Sequence, residues 1–469
     1  MTISKIFLAA LLATLPLVAH AAAPTQKAET DTTKPSTDLW ERDTLTGDWG
    51  GLRTKLNDKG ITLGSTLVLD AQGNPTGGVN QGAVMQGRLE LDLDTDLEKL
   101  LGAKGLTSHI SAYSIFGRGL GASDINNIMA PSNIEAQRAS FRLFSAWLEQ
   151  SLWEGDASIR FGQLAADDEF AISEYGGLFV NASFGWPAAL ATDLPSGGPA
   201  YPYATPAIRV KLGQDKPWSI MGAVFNGDPT GLSRGGNGGT AQERDPSGLR
   251  FGLDDGALFM AEGAYKINGD ENSKGLPGTY KAGAWYHNAT FTDPREDDTG
   301  LSLAAPGSST NPKTRHGNWG FYGVADQLLW HPGDDREHGI GLFARAFYQP
   351  GDRNVASFQG DLGINVKGLL FGRKDDTLGI GWSYMKISDR QSGLDEDINF
   401  FNSANGPVED FESAIEITYQ AQIAPWLIIQ PDFQYIVHPG GNVADPTDVS
   451  GINTIEDAAI LAVRTVVKF

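Results

Sequence analysis

The sequence predicts an all-β protein: a sixteen-stranded antiparallel transmembrane β-barrel with a short N-terminal periplasmic helix. Three observations lead there. Segment after segment alternates apolar and polar residues, the period of two that a strand with one apolar face requires. The connections alternate between short turns and long loops, as in barrels whose turns face the periplasm and whose loops face outward. The chain also finishes on such a segment. In "AAILAVRTVVKF", Ala459, Leu461, Val463, Thr465 and Val467 share a face with Phe469, while Arg464 and Lys468 fall on the other. This last strand is expected to pair with the first, because an open sheet edge has no place in lipid. Phe469 is expected on the lipid side at the periplasmic rim.

Taken in order, the elements begin with a leader. Lys5 is the only charge before the apolar stretch Ile6 to Ala19, and Ala19-His20-Ala21 supplies small residues at a cleavage position. Residues 1–21 therefore read as a secretory signal peptide, too short to span a bilayer as a helix. Residues 22–45 are polar and expected to be flexible. In "TGDWGGLRTKLNDKGITL", Leu52 and Leu56 share a helical face, Asp48 stands where a cap is needed and Gly60 where a stop is needed, so a periplasmic helix is expected within 46–60.

The barrel is expected over 61–469. Its strands are placed at 61–72, 83–97, 106–118, 138–152, 157–165, 206–213, 218–226, 256–267, 278–290, 317–330, 339–349, 357–370, 377–387, 409–422, 426–438 and 454–469. The second is the clearest. Met85, Leu89, Leu91 and Leu93 form one face, with Gln86, Arg88, Glu90, Asp92 and Asp94 on the other. In 138–152, Arg142 and Glu149 have opposite parity, which predicts a bulge. Short connections at 98–105, 153–156, 214–217, 268–277, 331–338, 371–376 and 423–425 alternate with long ones at 119–137, 166–205, 227–255, 291–316, 388–408 and 439–453. Tyr280, Tyr286, Trp382, Tyr384, Tyr419, Phe433 and Tyr435 fall on the outer faces, mostly near strand ends, as girdle aromatics do.

Composition narrows the function. There is no cysteine, and a net charge of −21 argues against nucleic acid as a partner. A mean hydropathy of −0.24 is compatible with a barrel that is apolar only on its outer belt. Histidines show no metal-ligand spacing, no phosphate loop or nucleophile motif is present, and no carboxylate pair is singled out for hydrolysis. No enzyme, cofactor or metal is expected.

Several stretches resemble the carbohydrate-selective porin family of Gram-negative outer membranes, the OprB family. They are "LTGDWGGLRTKLNDKGI", "RLELDLDTDLEKLLG", "SAWLEQSLWEGDASIRFGQLAADDEFA", "LFVNASFGWP", "GGPAYPYATPAIRV", "VFNGDP" and "PDFQYIVHPGG", spread from residue 46 to the final strand. The resemblance implies passive diffusion of glucose and related sugars through a narrowed lumen. It also implies lipid and lipopolysaccharide around the barrel, and insertion machinery that reads a final strand ending in Phe.

A sugar presents hydroxyls and flat apolar faces, so a selective lumen needs donors, acceptors and aromatic surface whose contacts stay weak enough to release the solute. The inward positions Arg88, Glu90, His109, Tyr113, Arg160, Arg209, Lys211, Glu262, Lys281, Trp285 and His287 offer such groups. Arg88 matches an inward arginine of the family's second-strand motif. It is expected to meet solute, to pair with Glu90, Asp92 or a loop carboxylate, or both. The loop 166–205 is too apolar for a solvated tip and is expected to fold inward as the constriction. Phe170, Tyr175, Phe179 and Phe184 would be buried, Asp167, Asp168 and Glu169 would face basic wall residues, and Trp186 would offer a platform. Two other readings stay open: a porin for anions or general small polar solutes, and a secreted polysaccharide-binding β-protein.

Overall fold

A computed structural model describes residue 36 and residues 38–214, 216–231, 240–253, 256–270, 273–333 and 335–469. The expected leader and most of the segment before residue 38 lie outside the described residues. Among these residues, sixteen antiparallel strands close into a barrel in sequence order. They are β1 (Ile61–Thr76), β2 (Ala83–Asp96), β3 (Leu106–Gly117), β4 (Ser140–Leu152), β5 (Ala157–Leu164), β6 (Thr205–Leu212), β7 (Trp218–Asn226), β8 (Ala257–Ile267), β9 (Gly278–Asp297), β10 (Pro312–Trp330), β11 (Gly339–Tyr348), β12 (Ala356–Lys367), β13 (Thr377–Ile387), β14 (Phe411–Ala424), β15 (Leu427–Val437) and β16 (Ala458–Lys468).

Alternation decides which face turns inward. On β16, Leu461 and Val463 are exposed on the outer wall, whereas Ile460 and Arg464 are buried inside. The seam is the expected one. Leu67 opposes Val467 and Asp70 opposes Arg464, and the Arg464 guanidinium donates to both Asp70 oxygens at 2.8 and 2.7 Å. The bulge is also present. Ile110 opposes Ala146 while Ala112 opposes Leu143, so β4 carries one extra residue opposite Ser111. That residue restores the phase and turns both Arg142 and Glu149 inward.

Four expectations are corrected. β9 and β10 run on to Asp297 and from Pro312, well past the expected 290 and 317. This part of the hairpin is held by ion pairs rather than by an apolar face. Lys313 meets Glu296 at 2.8 Å and Arg315 meets Asp293 at 2.6 Å, so no apolar alternation marked it. The turn after β2 contains α2 (Leu97–Leu101), whose cap Asp96 accepts from the amides of Glu98 and Lys99. The loop expected at 388–408 contains helix α4 (Asp389–Asn402), polar on most sides and burying only Gly393, which leaves no helical stripe to read. Residues 38–45, expected to be flexible, dock on the barrel end. Trp426 Nε1 donates to Leu39 O at 2.7 Å, and Leu45 N donates to Lys468 O at 2.8 Å. The periplasmic helix α1 (Leu52–Asp58) begins after a 3-10 turn. Asp48 accepts from Thr54 N at 2.9 Å, and Gly60 stops the helix at φ 83°.

Two outer loops fold into the lumen. Residues 165–204 include the short helix α3 (Ala188–Asp193) and bury Phe170, Phe179, Phe184 and Leu190 against inward wall residues. Residues 118–139 bury Leu120, Ile125, Met129 and Ile134 in the same way. The two loops bond to each other: Asn133 N donates to Val180 O, and Ala182 N to Ala130 O, each at 2.9 Å. The apolar core of the molecule lies between these loops and the wall.

Candidate functional site

The wall from β2 to β6 carries a belt of paired side chains. Register sets it out, because His109 opposes both Asp94 and Trp147, while Arg160 opposes both Glu149 and Arg209. His109 Nδ1 lies 2.7 Å from Asp94 Oδ1. The His109 ring stacks on Trp147 at 5.1 Å, and the Arg160 guanidinium lies 3.8 Å from the Trp147 ring centroid. Arg160 Nε donates to Glu149 at 2.7 Å. Arg209 grips Glu169 with both Nε and Nη2 at 2.7 Å. Arg88 pairs with Glu90 at 3.2 Å and lies over the rings of Tyr113 (4.9 Å) and Tyr201 (5.0 Å). Arginine suits this position, since a planar fork can hold a carboxylate and lie on a ring together.

The loop supplies the facing groups. Asp168 is exposed, and Glu169 is half-buried on Arg209 and Arg160. Asp167 accepts from Tyr201 N at 2.8 Å, yet burial pushes its carboxyl up to about 6. Burial also pushes the Tyr201 phenol up to about 12, so it stays a donor. Arg88 Nε, Asp92 Oδ2 and Asp167 Oδ1 are buried without a hydrogen-bond partner among the described residues.

The wall from β8 to β15 holds the loops instead. Glu412 accepts from the amides of Ile128 (2.8 Å), Met129 (2.6 Å) and Gly440 (2.7 Å). Glu416 accepts from the amides of Val180 (2.7 Å) and Asn181 (2.9 Å). Asp326 takes the Ser173 hydroxyl, and Gln359 takes Ala189 N. The wall is glycine where rings press on it. A Cβ at Gly381 would sit 2.7 Å from Phe179 and 2.8 Å from Phe184.

These contacts sort the expected residues. Arg88, Glu90, His109, Arg160 and Lys211 stand on the β2–β6 face around the belt, with Tyr113 buried beneath Arg88. Arg209 is on the same wall but 1% exposed, sealed by Glu169 and Ser158. Glu262, Lys281 and Trp285 are covered by the loop rather than open to the lumen. Glu262 accepts from Ala171 N, Lys281 donates to Ile172 O, and Trp285 lies in the apolar cluster with Phe170. His287 is likewise buried, bonded to Gly227 O. Phe170 packs on Phe225, Tyr175 lies against Gly341, and Trp186 is half-buried with its Nε1 spent on Gly197 O. Trp147, Glu149 and Tyr201 were not anticipated as site residues. For Trp147 and Glu149 the signal was the bulge, which hid their inward phase. The loop 118–139 was also missed; its apolar Leu120, Ile125, Met129 and Ile134 are the sign that it does not sit in solvent.

A closed sixteen-stranded barrel, apolar outside and partly filled by inward loops that leave a charged belt, defines a selective porin-type channel. The family model described as "Carbohydrate-selective porin, OprB family" matches residues 80–469, and the chain belongs to that family. It is a sugar-selective porin of the outer membrane, in a family of channels rather than enzymes. Porin B of Pseudomonas aeruginosa is 26% identical over 434 residues, spanning 87% of this chain and 90% of that protein. The putative porin QuiX of Acinetobacter baylyi is 23% identical over 437 residues, spanning 89% and 94%. The high-pH structure of Pseudomonas putida OprB superposes with a TM-score of 0.79 at 24% identity, covering 92% of this chain and 99% of that one.

Proposed function

We propose that sugars cross the barrel along the β2–β6 wall, between the Arg88–Glu90 pair and the loop carboxylates Asp167, Asp168 and Glu169, and that residues 165–204 narrow the path there. One observation carries this reading: the arginines of the belt are each held by a carboxylate, and two of them, Arg88 and Arg160, lie on aromatic rings. Fixed ion pairs offer a polyol donors and acceptors side by side without adding net charge. An anion channel would need an excess of cations. Here Glu90, Asp92, Asp94, Glu149, Asp168 and Glu169 surround Arg88, Arg160, Arg209 and Lys211.

The test is single-channel conductance in a planar bilayer, titrated with glucose against equal succinate. A saturable block by glucose alone is expected, and Arg88→Ala should weaken it about tenfold, or about 1.4 kcal/mol. Conductance indifferent to glucose, or blocked equally by succinate, rejects the reading.

The partners follow from the outer surface. Exposed Tyr280, Tyr286, Trp382 and Tyr435 support contact with lipid and lipopolysaccharide at the two interfaces. The strand ending at Phe469 supports recognition by barrel-insertion machinery. Deleting Phe469 should lower the amount of heat-modifiable barrel in outer membranes while purified chain still refolds in detergent.

A further inference from the structure

We infer that Arg345, on the far wall from the belt, is a positioning residue that determines sugar selectivity through the inward loop; this rests on the transport path proposed above. The residue is 3% exposed, its side chain not at all, and its guanidinium pairs with the equally buried Asp361 at 2.7 Å. The other donors go to the loop backbone. Nη1 donates to Ala171 O (3.2 Å) and Gly185 O (2.8 Å), and Nη2 donates to Ser183 O. One side chain thus ties together two limbs of the loop that are separated by more than ten residues in sequence. Asp361 is itself fixed: Oδ1 takes the Ser383 hydroxyl at 2.7 Å and Gln359 Nε2 at 3.0 Å.

The consequence reaches the belt because the loop is anchored at both ends of a very short span. Glu169 is gripped by Arg209 of β6, and Ala171, two residues on, by Arg345 of β11 and Glu262 of β8. Residues 169–171 form a short strap that runs from β6 to β8 and β11. Where Arg345 holds the strap decides how far Asp168 and Glu169 stand from Arg88 and Arg160, and hence the width of the path. Lysine cannot replace it: a point charge on a flexible stem has no fork to serve a carboxylate and three carbonyls in one plane. Arg345 touches no solute in this scheme; it acts through the strap.

The test compares wild type, Arg345→Lys and the double variant Arg345→Met/Asp361→Leu in single-channel recordings, beside their thermal midpoints. The double variant removes both buried charges, a change that folded cores commonly tolerate, so it guards against a single variant that fails to fold. Expected are a conductance raised at least twofold and a glucose block weakened at least fivefold in both variants. Variants that fold with a lower midpoint but show wild-type conductance and block overturn the inference, since Arg345 would then be structural only. If wild type itself shows no glucose block, the transport reading fails first. The conductance change then still reports whether Arg345 sets the width.

Discussion

Glu149 and Glu412 are both carboxylates on inward faces of the same barrel, and they meet different partners. Glu149, on β4, is held by Arg160 and Arg209. Glu412, on β14, is held by three backbone amides. The contrast extends along each wall. From β2 to β6 charge meets charge, at positions that, the sealed Arg209 apart, water still reaches. From β8 to β15 side chains mostly meet main chain, sealed from water by the loops. A loop that enters a barrel brings unpaired N–H and C=O groups with it, and each must find a partner. Glu412, Glu416, Asp326, Gln359 and Arg345 are those partners. Inward polarity therefore has two uses in one lumen, and only the partner tells them apart.

The comparison breaks most visibly if matched alanines behave alike. Glu412→Ala strands three amides, at about 1–3 kcal/mol for each buried unsatisfied group, so a loss of about 3 kcal/mol or more is expected. Glu149→Ala leaves Glu169 to hold both Arg160 and the buried Arg209, so a smaller loss of about 1–2 kcal/mol is expected. Thermal midpoints of heat-modifiable mobility in detergent measure both. Equal losses would dissolve the distinction between the walls. Gly381→Ala comes next. Its Cβ would meet Phe179 and Phe184 inside contact distance, and overpacking of this kind costs about 1–3 kcal/mol. The loop should also lift, so conductance is expected to rise. A channel with unchanged conductance would mean that the rings do not seat the loop.

Trp147→Leu probes the other wall. It removes the surface on which His109 and Arg160 lie, worth about 0.5–2 kcal/mol of cation–π attraction. The expected readout is a glucose block weakened several-fold with a midpoint moved by only a degree or two. A large drop in midpoint with the block intact would place Trp147 among the anchoring residues.

The fold was legible because lipid imposes it. The outer belt must be apolar at every second residue, so β2 and β16 could be read from Met85 to Leu93 and from Ala459 to Val467. The even phase break at Arg142 and Glu149 betrayed the bulge. Legibility failed where lipid is absent. The hairpin beyond Ala289 and helix α4 are held by pairs such as Arg295–Asp397, at 2.7 Å, which no periodicity announces. The lumen was half legible. Arg88 and Arg160 could be placed on the inner face, but so could Trp285 and Glu262, and parity cannot say which inward residue a loop will cover. That is decided by contacts between segments a hundred or more residues apart, such as Glu412 with Met129.

The smallest effect concerns pH, and it separates the walls through Asp193. This carboxyl sits at the end of α3, outside the strands, and accepts from the amides of Val355 (2.7 Å) and Ala356 (3.1 Å) and from Gln349. Burial nevertheless pushes it up to about 7. A carboxyl raised in the folded state binds its proton there while the unfolded chain has already lost it. Its contribution to stability is therefore full below about pH 4 and is lost as pH climbs toward 7. Asp193→Asn cannot titrate. The difference in midpoint between wild type and this variant should fall from pH 4 to pH 7 and then stay level, while other carboxyls cancel in the subtraction. A flat difference for Asp193→Asn would mean that its three donors outweigh burial, and that the docked loop holds equally well in acid and at neutral pH.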